Sequence, residues 1–208
     1  MALTFSTNPQ SRGRTVRWML EEVGEPYEAR LLDFGRGTRT PEYLRINPMA
    51  KVPTLVHDDR VVTEVAAILC YLAETFPKAG LMPEDRAGFF RWMFFGAGPV
   101  EYAVTNKSMG WEVSDLQAQG RLGYGSFERV IETLKGLLSS RDYLCDGRFS
   151  VVDLFLGSQI GFGLLTGGLP AEPEFQAYWD RIKSRPAALR AQETDDRLIA
   201  ERQAAAHG

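Results

Sequence analysis

Three short segments in the N-terminal third of the chain carry groups able to hold a small charged ligand. Thr7-Asn8-Pro9-Gln10-Ser11-Arg12 lies between the end of an expected strand and the start of an expected helix. A hydroxyl there can donate to an anion, and the unpaired N–H groups and macrodipole of the helix add positive potential. A thiol bound at such a place ionises more readily, because the hydrogen bond and the dipole favour the thiolate. Ser11 is the candidate donor, with a plain helix N-cap as the alternative. In Ala50-Lys51-Val52-Pro53-Thr54, a proline at the start of a strand lacks an N–H and suits an edge or a bend. With a cis Val52–Pro53 bond the backbone of Val52 would turn outward and be free to pair with an extended peptide, although cis X–Pro is only ~5% of cases. Lys51 can meet a ligand carboxylate, or simply be solvated. Thr63-Glu64-Val65 opens a helix; its N–H groups suit a carboxylate, and the Glu64 side chain can accept from an ammonium group or merely complement the dipole.

Other chemistry is poorly provided for. The 208 residues contain two cysteines, Cys70 and Cys145, and two histidines, His57 and His207. These make neither a disulfide framework nor a zinc cluster, and they leave a Ser-His or Cys-His relay without its parts, so no metal is expected. A formal net charge of -3 gives no electrostatic argument for nucleic acid or a membrane surface. The opening residues Met1 to Arg14 do not read as a signal peptide. No apolar run approaches the ~20 residues of a spanning helix. A cytoplasmic, soluble protein is the expectation, with 44% hydrophobic residues to build its core.

The elements that must position these segments alternate in type. Leu3 and Phe5 bracket a strand. Val16, Met19, Leu20 and Val23 mark one helical face, closed by Gly24. Tyr27 to Leu32 reads as a second strand, completing a βαβ unit with a right-handed crossover. After a polar loop (Asp33 to Thr40) comes a short helix, Pro41 to Ile46. Residues 52–56 and 60–62 flank Asp58-Asp59 as a hairpin, and Glu64 to Phe76 is a helix. The order β-α-β, link, β-β-α predicts a mixed four-stranded sheet covered by helices.

Two prolines and a glycine in Pro77–Pro83 then read as a linker, with no strand beyond it. Helices are expected around Phe89–Val100, Phe127–Leu138 and Phe175–Ile182. A helix apolar nearly all round (Val151 to Ile160) should form the buried centre of a bundle. Ser150 with Asp153 forms a capping-box variant, and Phe149 with Leu154 a hydrophobic staple, both structural in meaning. The polar, Ala-rich tail from Thr194 onward is expected to fray. The domain limits expected are 1–77, a linker 78–84, and a helical domain 85–208.

Taken together, N8-P-Q-S-R-G-R-T-V-R-W-M-L-E-E-V-G24, P41-E-Y-L-R-I-N-P-M-A-K-V-P-T-L55, T63-E-V-A-A-I-L-C-Y-L72, R91-W-M-F-F-G-A-G-P-V-E101 and F149-S-V-V-D-L-F-L-G-S158 resemble the soluble (cytosolic) glutathione transferases over nearly the whole chain, in a bacterial serine-type or unclassified branch. The resemblance implies an N-terminal thioredoxin-like α/β domain followed by an all-helical domain. It implies a cis Pro53, main-chain pairing of Val52 with the cysteinyl unit of glutathione, γ-glutamyl recognition at Glu64-Val65, and thiolate stabilisation near Ser11. Glutathione would be the co-substrate, a small hydrophobic electrophile the second substrate, and a homodimer the assembly. The family's electrophile pocket lies between its two domains, and Tyr102, Met109 and Trp111 are its candidate walls here, with packing inside the bundle as their alternative role.

This chain departs from the family's pattern in two places. Val65 stands where a serine usually follows the glutamate, which removes a hydroxyl from the γ-glutamyl carboxylate and costs on the order of 1.5–3 kcal/mol of binding if no water replaces it. The first turn has neither Tyr nor Cys, leaving Ser11 ahead of Thr7, Asn8 or Arg12 as the thiolate donor. The leading expectation is conjugation of glutathione to small hydrophobic electrophiles, a detoxification chemistry. Glutathione-dependent isomerisation, dehalogenation or peroxide reduction uses the same thiolate, and a non-catalytic binding protein on the same fold is the third reading.

Overall fold

A computed structural model describes residues 2–207, the side chains of 206 and 207 excepted, so His207 lies outside the described side chains. By packing, the chain forms two compact units: residues 1–80 together with 185–208, and residues 81–184.

The first unit is built on strands β1 (Leu3–Thr7), β2 (Tyr27–Leu31), β3 (Thr54–His57) and β4 (Arg60–Thr63), in the spatial order β2-β1-β3-β4. β1 pairs parallel with β2, and the other two pairings are antiparallel. The parallel pair requires the crossover helix α1 (Gly13–Val23), while Asp58-Asp59 closes the β3–β4 hairpin. Val16, Met19 and Leu20 of α1 pack into a core with Phe5, Leu55, Ile68, Leu69 and Leu72. Gly24 stops α1 at φ 76°, its N–H bonding the Leu20 carbonyl, a left-handed position that glycine takes without steric cost. The helices α2 (Pro41–Ile46) and α3 (Val65–Thr75) complete the α/β part.

The C-terminal residues correct the expectation of a fraying tail. They form one long helix, α10 (Pro186–His207), packed against α1. Ala187, Ala188, Ala191 and Asp195 are its buried stripe. The small alanines allow the two helices to approach, and Arg17 of α1 meets Asp195 at 2.9 Å (Nε–Oδ1) with both side chains almost wholly buried. Arg14–Asp196 and Arg190–Glu21 join the same two helices at 2.7 and 3.0 Å, and Arg185, just before α10, meets Glu22 of α1 at 2.6 Å. Residues 185–208 therefore belong to the α/β unit.

The second unit is helical throughout: α4 (Arg86–Phe95), a π-helical turn (Gly96–Val100), α5 (Glu101–Ser108), α6 (Leu116–Gln119), α7 (Phe127–Ser139), α8 (Val151–Thr166) and α9 (Pro173–Lys183). The single long helix expected around residues 89–100 is interrupted by the π turn, which contains Pro99; proline has no N–H for the ladder and its ring collides with the preceding turn. α8 is the buried centre, and Val151, Val152, Leu154, Leu156 and Ile160 are fully enclosed. Its capping box forms as expected, with the Ser150 N–H donating to Asp153 Oδ2 at 2.9 Å. Asp153 also accepts from the Leu144 N–H and the Tyr178 hydroxyl, each at 2.8 Å, so the cap ties α8 to α9 and to the loop before it.

Candidate functional site

The strand register brings the three ligand-competent segments of the first unit together. Ser6 pairs with Thr54, and Thr54 with Thr63, making one row across β1, β3 and β4. Just past that row, the chain leaves β1 toward Ser11, enters β3 from Val52-Pro53, and leaves β4 into Glu64-Val65. Ser11, Lys51, Val52, Pro53, Glu64 and Val65 thus gather at one end of the sheet. His57 belongs to the opposite end, opposite Leu3 and Arg60. It is buried there, its Nδ1 2.8 Å from the Tyr71 hydroxyl.

The first turn is held by Asn8, which is buried. Its side-chain amide donates to the Leu32 carbonyl at 2.8 Å, and its Oδ1 accepts from the Gln10 N–H at 3.0 Å. The half-buried Ser11 hydroxyl donates to the Asn8 carbonyl at 2.7 Å and accepts from the Gly13 N–H at 2.9 Å. It therefore serves the opening of α1 much as a cap does, although the residue at the N-cap position itself is Arg12. The Asn8 carbonyl also accepts from the Ser11 N–H at 3.0 Å. It keeps that partner if the hydroxyl turns toward another acceptor. Gly13 lies directly over Thr7: a Cβ there would fall inside the van der Waals shell of Thr7 Oγ1 and 3.0 Å from Ser11 Oγ.

The Val52–Pro53 bond is cis. Lys51 is exposed, Val52 half-buried and Pro53 buried. Among the described residues, neither the N–H nor the carbonyl of Val52 has a hydrogen-bond partner. The residues that hold this segment went unremarked in the sequence. Tyr43 and Asn47, at the end of α2, both bond the Lys51 carbonyl (2.6 and 2.9 Å) and the Thr54 hydroxyl (2.8 and 3.0 Å). Burial raises the Tyr43 phenol above its ordinary pKa and keeps it a protonated donor. Their sequence signal was slight: a Tyr and an Asn spaced i, i+4 across a helix end, before a proline.

Glu64 precedes α3 with φ 67° and ψ 124°, its side chain exposed. A non-glycine residue there costs on the order of 1–3 kcal/mol and is retained where surrounding structure or function requires it. No side chain caps the first turn of α3, which leaves its N–H groups, beginning with Val65, to other acceptors.

In the helical unit, Tyr102, Met109 and Trp111 are 59%, 57% and 60% exposed. That exposure excludes packing inside the bundle as their role. Trp111 lines a recess of about 190 Å³ with Asn106, Lys107, Tyr124 and Phe127; Tyr102 and Met109 are not part of its lining. Among the described residues no cluster of His, Cys, Asp or Glu could hold a metal, and no helix is long and apolar enough to cross a membrane.

Residues 11–75 match the N-terminal domain of glutathione S-transferases. Glutathione S-transferase 1 of Dianthus caryophyllus is 42% identical over 175 residues, 77% of this chain and 78% of its own length. The chain belongs to the glutathione S-transferase family. The chain is also similar to the disulfide-bond oxidoreductase YfcG of Escherichia coli, 26% identical over 91% of this chain and 95% of that one. A sphingomonad glutathione S-transferase solved with bound glutathione has a TM-score of 0.74 at 26% identity, covering 94% of this chain and 99% of that structure. The α/β unit of this transferase is thus the thioredoxin-like domain of its family.

Proposed function

We propose that the chain conjugates glutathione to small hydrophobic electrophiles: the thiol releases its proton to solvent, Ser11 donates to the resulting thiolate, and the sulfur attacks carbon, forming the S–C bond as a leaving group such as chloride departs with the electron pair of the bond that breaks. The observation that carries this reading is the row Ser6–Thr54–Thr63, because it lines up the three contacts that an extended tripeptide needs. The cysteinyl backbone pairs with Val52. The γ-glutamyl carboxylate lies at the Val65 N–H with its ammonium on Glu64, and a free carboxylate reaches Lys51. The thiol then faces the opening of α1. To donate to sulfur, the Ser11 hydroxyl exchanges the Asn8 carbonyl for the thiolate, and Asn8 keeps the Ser11 N–H. Lowering a thiol pKa from ~8.5 toward ~6.5 raises the thiolate fraction at pH 7 by tens of fold at most, so positioning of the electrophile supplies much of the remainder. Tyr102, Met109 and Trp111 are the candidate contacts for that electrophile.

A cytoplasmic homodimer is part of this reading. Support for the dimer comes from Phe90 and Phe94, 50% and 71% exposed one turn apart on α4. The similarity to a disulfide-bond oxidoreductase favours a second reading, in which the same thiolate attacks disulfide sulfur.

Calorimetry with glutathione and turnover of chlorinated aromatics test the proposal on one preparation. Ser11→Ala is expected to lower kcat tenfold or more while changing the glutathione Kd little. Full turnover by that variant would reduce Ser11 to a cap, and absence of glutathione binding by the unaltered protein would overturn the proposal. Turnover of disulfides alone would select the second reading.

A further inference from the structure

The hydrogen bonds around the Lys51 carbonyl form a closed ring in which every proton has one place. Lys51 O accepts from Tyr43 Oη at 2.6 Å and from Asn47 Nδ2 at 2.9 Å. Tyr43 has a single proton, so its 2.8 Å contact with Thr54 must be donated by the Thr54 hydroxyl. Asn47 gives its second amide proton to Thr54 Oγ1 at 3.0 Å. Its own Oδ1 accepts from the Met49 N–H at 3.1 Å. Tyr43, Asn47 and Thr54 are only 5%, 2% and 0% exposed, so water does not compete for these bonds and none of the three has another orientation that satisfies all of them.

This ring acts on the one peptide plane that matters. The Lys51–Val52 bond is trans, since among the described residues the cis bond is the next one, Val52–Pro53. In a planar trans peptide the N–H points opposite to the C=O. With the Lys51 carbonyl drawn into the buried ring by two donors, the Val52 N–H is directed away from it, and it has no partner among the described residues.

We infer that Tyr43 and Asn47 are positioning residues for glutathione, fixing the Lys51–Val52 peptide plane so that the Val52 N–H is presented ready-oriented to the tripeptide backbone. The inference rests on the proposed glutathione reading. It assigns the affinity effect to the two donors on the Lys51 carbonyl, and to Thr54 only the closing of the ring.

Two isosteric variants separate positioning from simple support. Tyr43→Phe removes one donor from the Lys51 carbonyl, whereas Thr54→Val leaves both and unpairs Asn47 and Tyr43 elsewhere in the ring. Both should lower the melting temperature. Tyr43→Phe should in addition weaken the glutathione Kd by about tenfold, the equivalent of one hydrogen bond, with kcat at saturating glutathione within about twofold of the unaltered protein. Thr54→Val should keep its Kd within about twofold. Equal losses of affinity in the two variants, or an unchanged Kd in Tyr43→Phe, would overturn the inference. Amide exchange on the unaltered protein gives a second arm that needs no variant to fold. The Val52 amide should exchange without protection in the free protein and slow when glutathione is added, while protection in the free protein would overturn the assigned orientation. If the unaltered protein binds no glutathione, the functional reading itself falls and the inference with it.

Discussion

Arg17 and Asp195, 178 positions apart in the chain, share a buried hydrogen-bonded ion pair at the contact between the first and last helices. Arg17 also donates to the Tyr27 hydroxyl at 3.1 Å and lies over the Phe5 ring. Among the described residues, Arg17 Nη2 and Asp195 Oδ2 have no hydrogen-bond partner, so the desolvation of the pair is incompletely offset. Removing one member leaves the other charge buried and alone. Asp195→Ala should therefore destabilise by about 3–5 kcal/mol, whereas an apolar pair such as Arg17→Met with Asp195→Leu should come close to neutral. Urea unfolding of the single and double variants measures both. Arg190→Ala, at a largely exposed pair, should cost less than about 1 kcal/mol.

Val65→Ser restores a hydroxyl at the first residue of α3, beside the proposed γ-glutamyl carboxylate. Glutathione should bind roughly tenfold tighter, at the lower end of what a hydrogen bond to a charged group contributes. Calorimetry on the two proteins decides it: an unchanged Kd would mean that water already fills the place of that hydroxyl, or that the carboxylate lies elsewhere.

Gly13→Ala puts a methyl group against the Thr7 hydroxyl. Thr7 is fully buried, so the hydroxyl cannot move aside and the opening of α1 must shift instead. A loss of about 1–3 kcal/mol is expected, together with a drop in kcat, because the Gly13 N–H holds Ser11 in place. Adding Thr7→Ala should recover part of both. Failure of the second change to recover either would place the cause elsewhere.

Cys145 gives the alkaline limb of stability a specific origin. Burial first, and then the neighbouring Asp153 carboxylate, pushes its thiol from 9.0 up to about 12. Between those values the unfolded chain has released the proton and the folded chain retains it, so stability falls as pH rises, by about 1.4 kcal/mol per pH unit from this group. Cys145→Ala should flatten the decline of stability above pH ~9 in chemical denaturation measured across that range. The same burial predicts that Cys145 resists thiol reagents in the folded protein and reacts on unfolding.

Local chemistry made much of this fold readable before any coordinates. Asp58-Asp59 marks its hairpin, Gly24 ends its helix, and Ser150 with Asp153 starts α8, because each signal and its effect lie within a few residues. The last helix escaped for the opposite reason. Its buried stripe consists of small alanines and one aspartate, Ala187, Ala188, Ala191 and Asp195, which carries no strong apolar signal, and the carboxylate's partner belongs to α1. The proposed ligand-binding segments were visible as motifs, but their support was not: Tyr43 looked like an ordinary residue of a short helix and Asn47 like the residue that ends it, and only tertiary structure shows that they grip the Lys51 carbonyl. Tyr102, Met109 and Trp111 read equally well as core, since a large apolar side chain does not by its type report exposure.

The pairing of Ser6 with Thr54 and of Thr54 with Thr63 makes the spacing between the proposed contacts a property of strand registry. Residues could be inserted among 33–40, in the connection between β2 and α2, without altering that spacing. A single residue added within β1, β3 or β4 would carry one contact out of step with the other two, about 3.3 Å along the strand, and turn its side chains to the other face. In this domain, tolerance to changes of length and loss of ligand should therefore map onto different segments, with the strands as the rigid ruler.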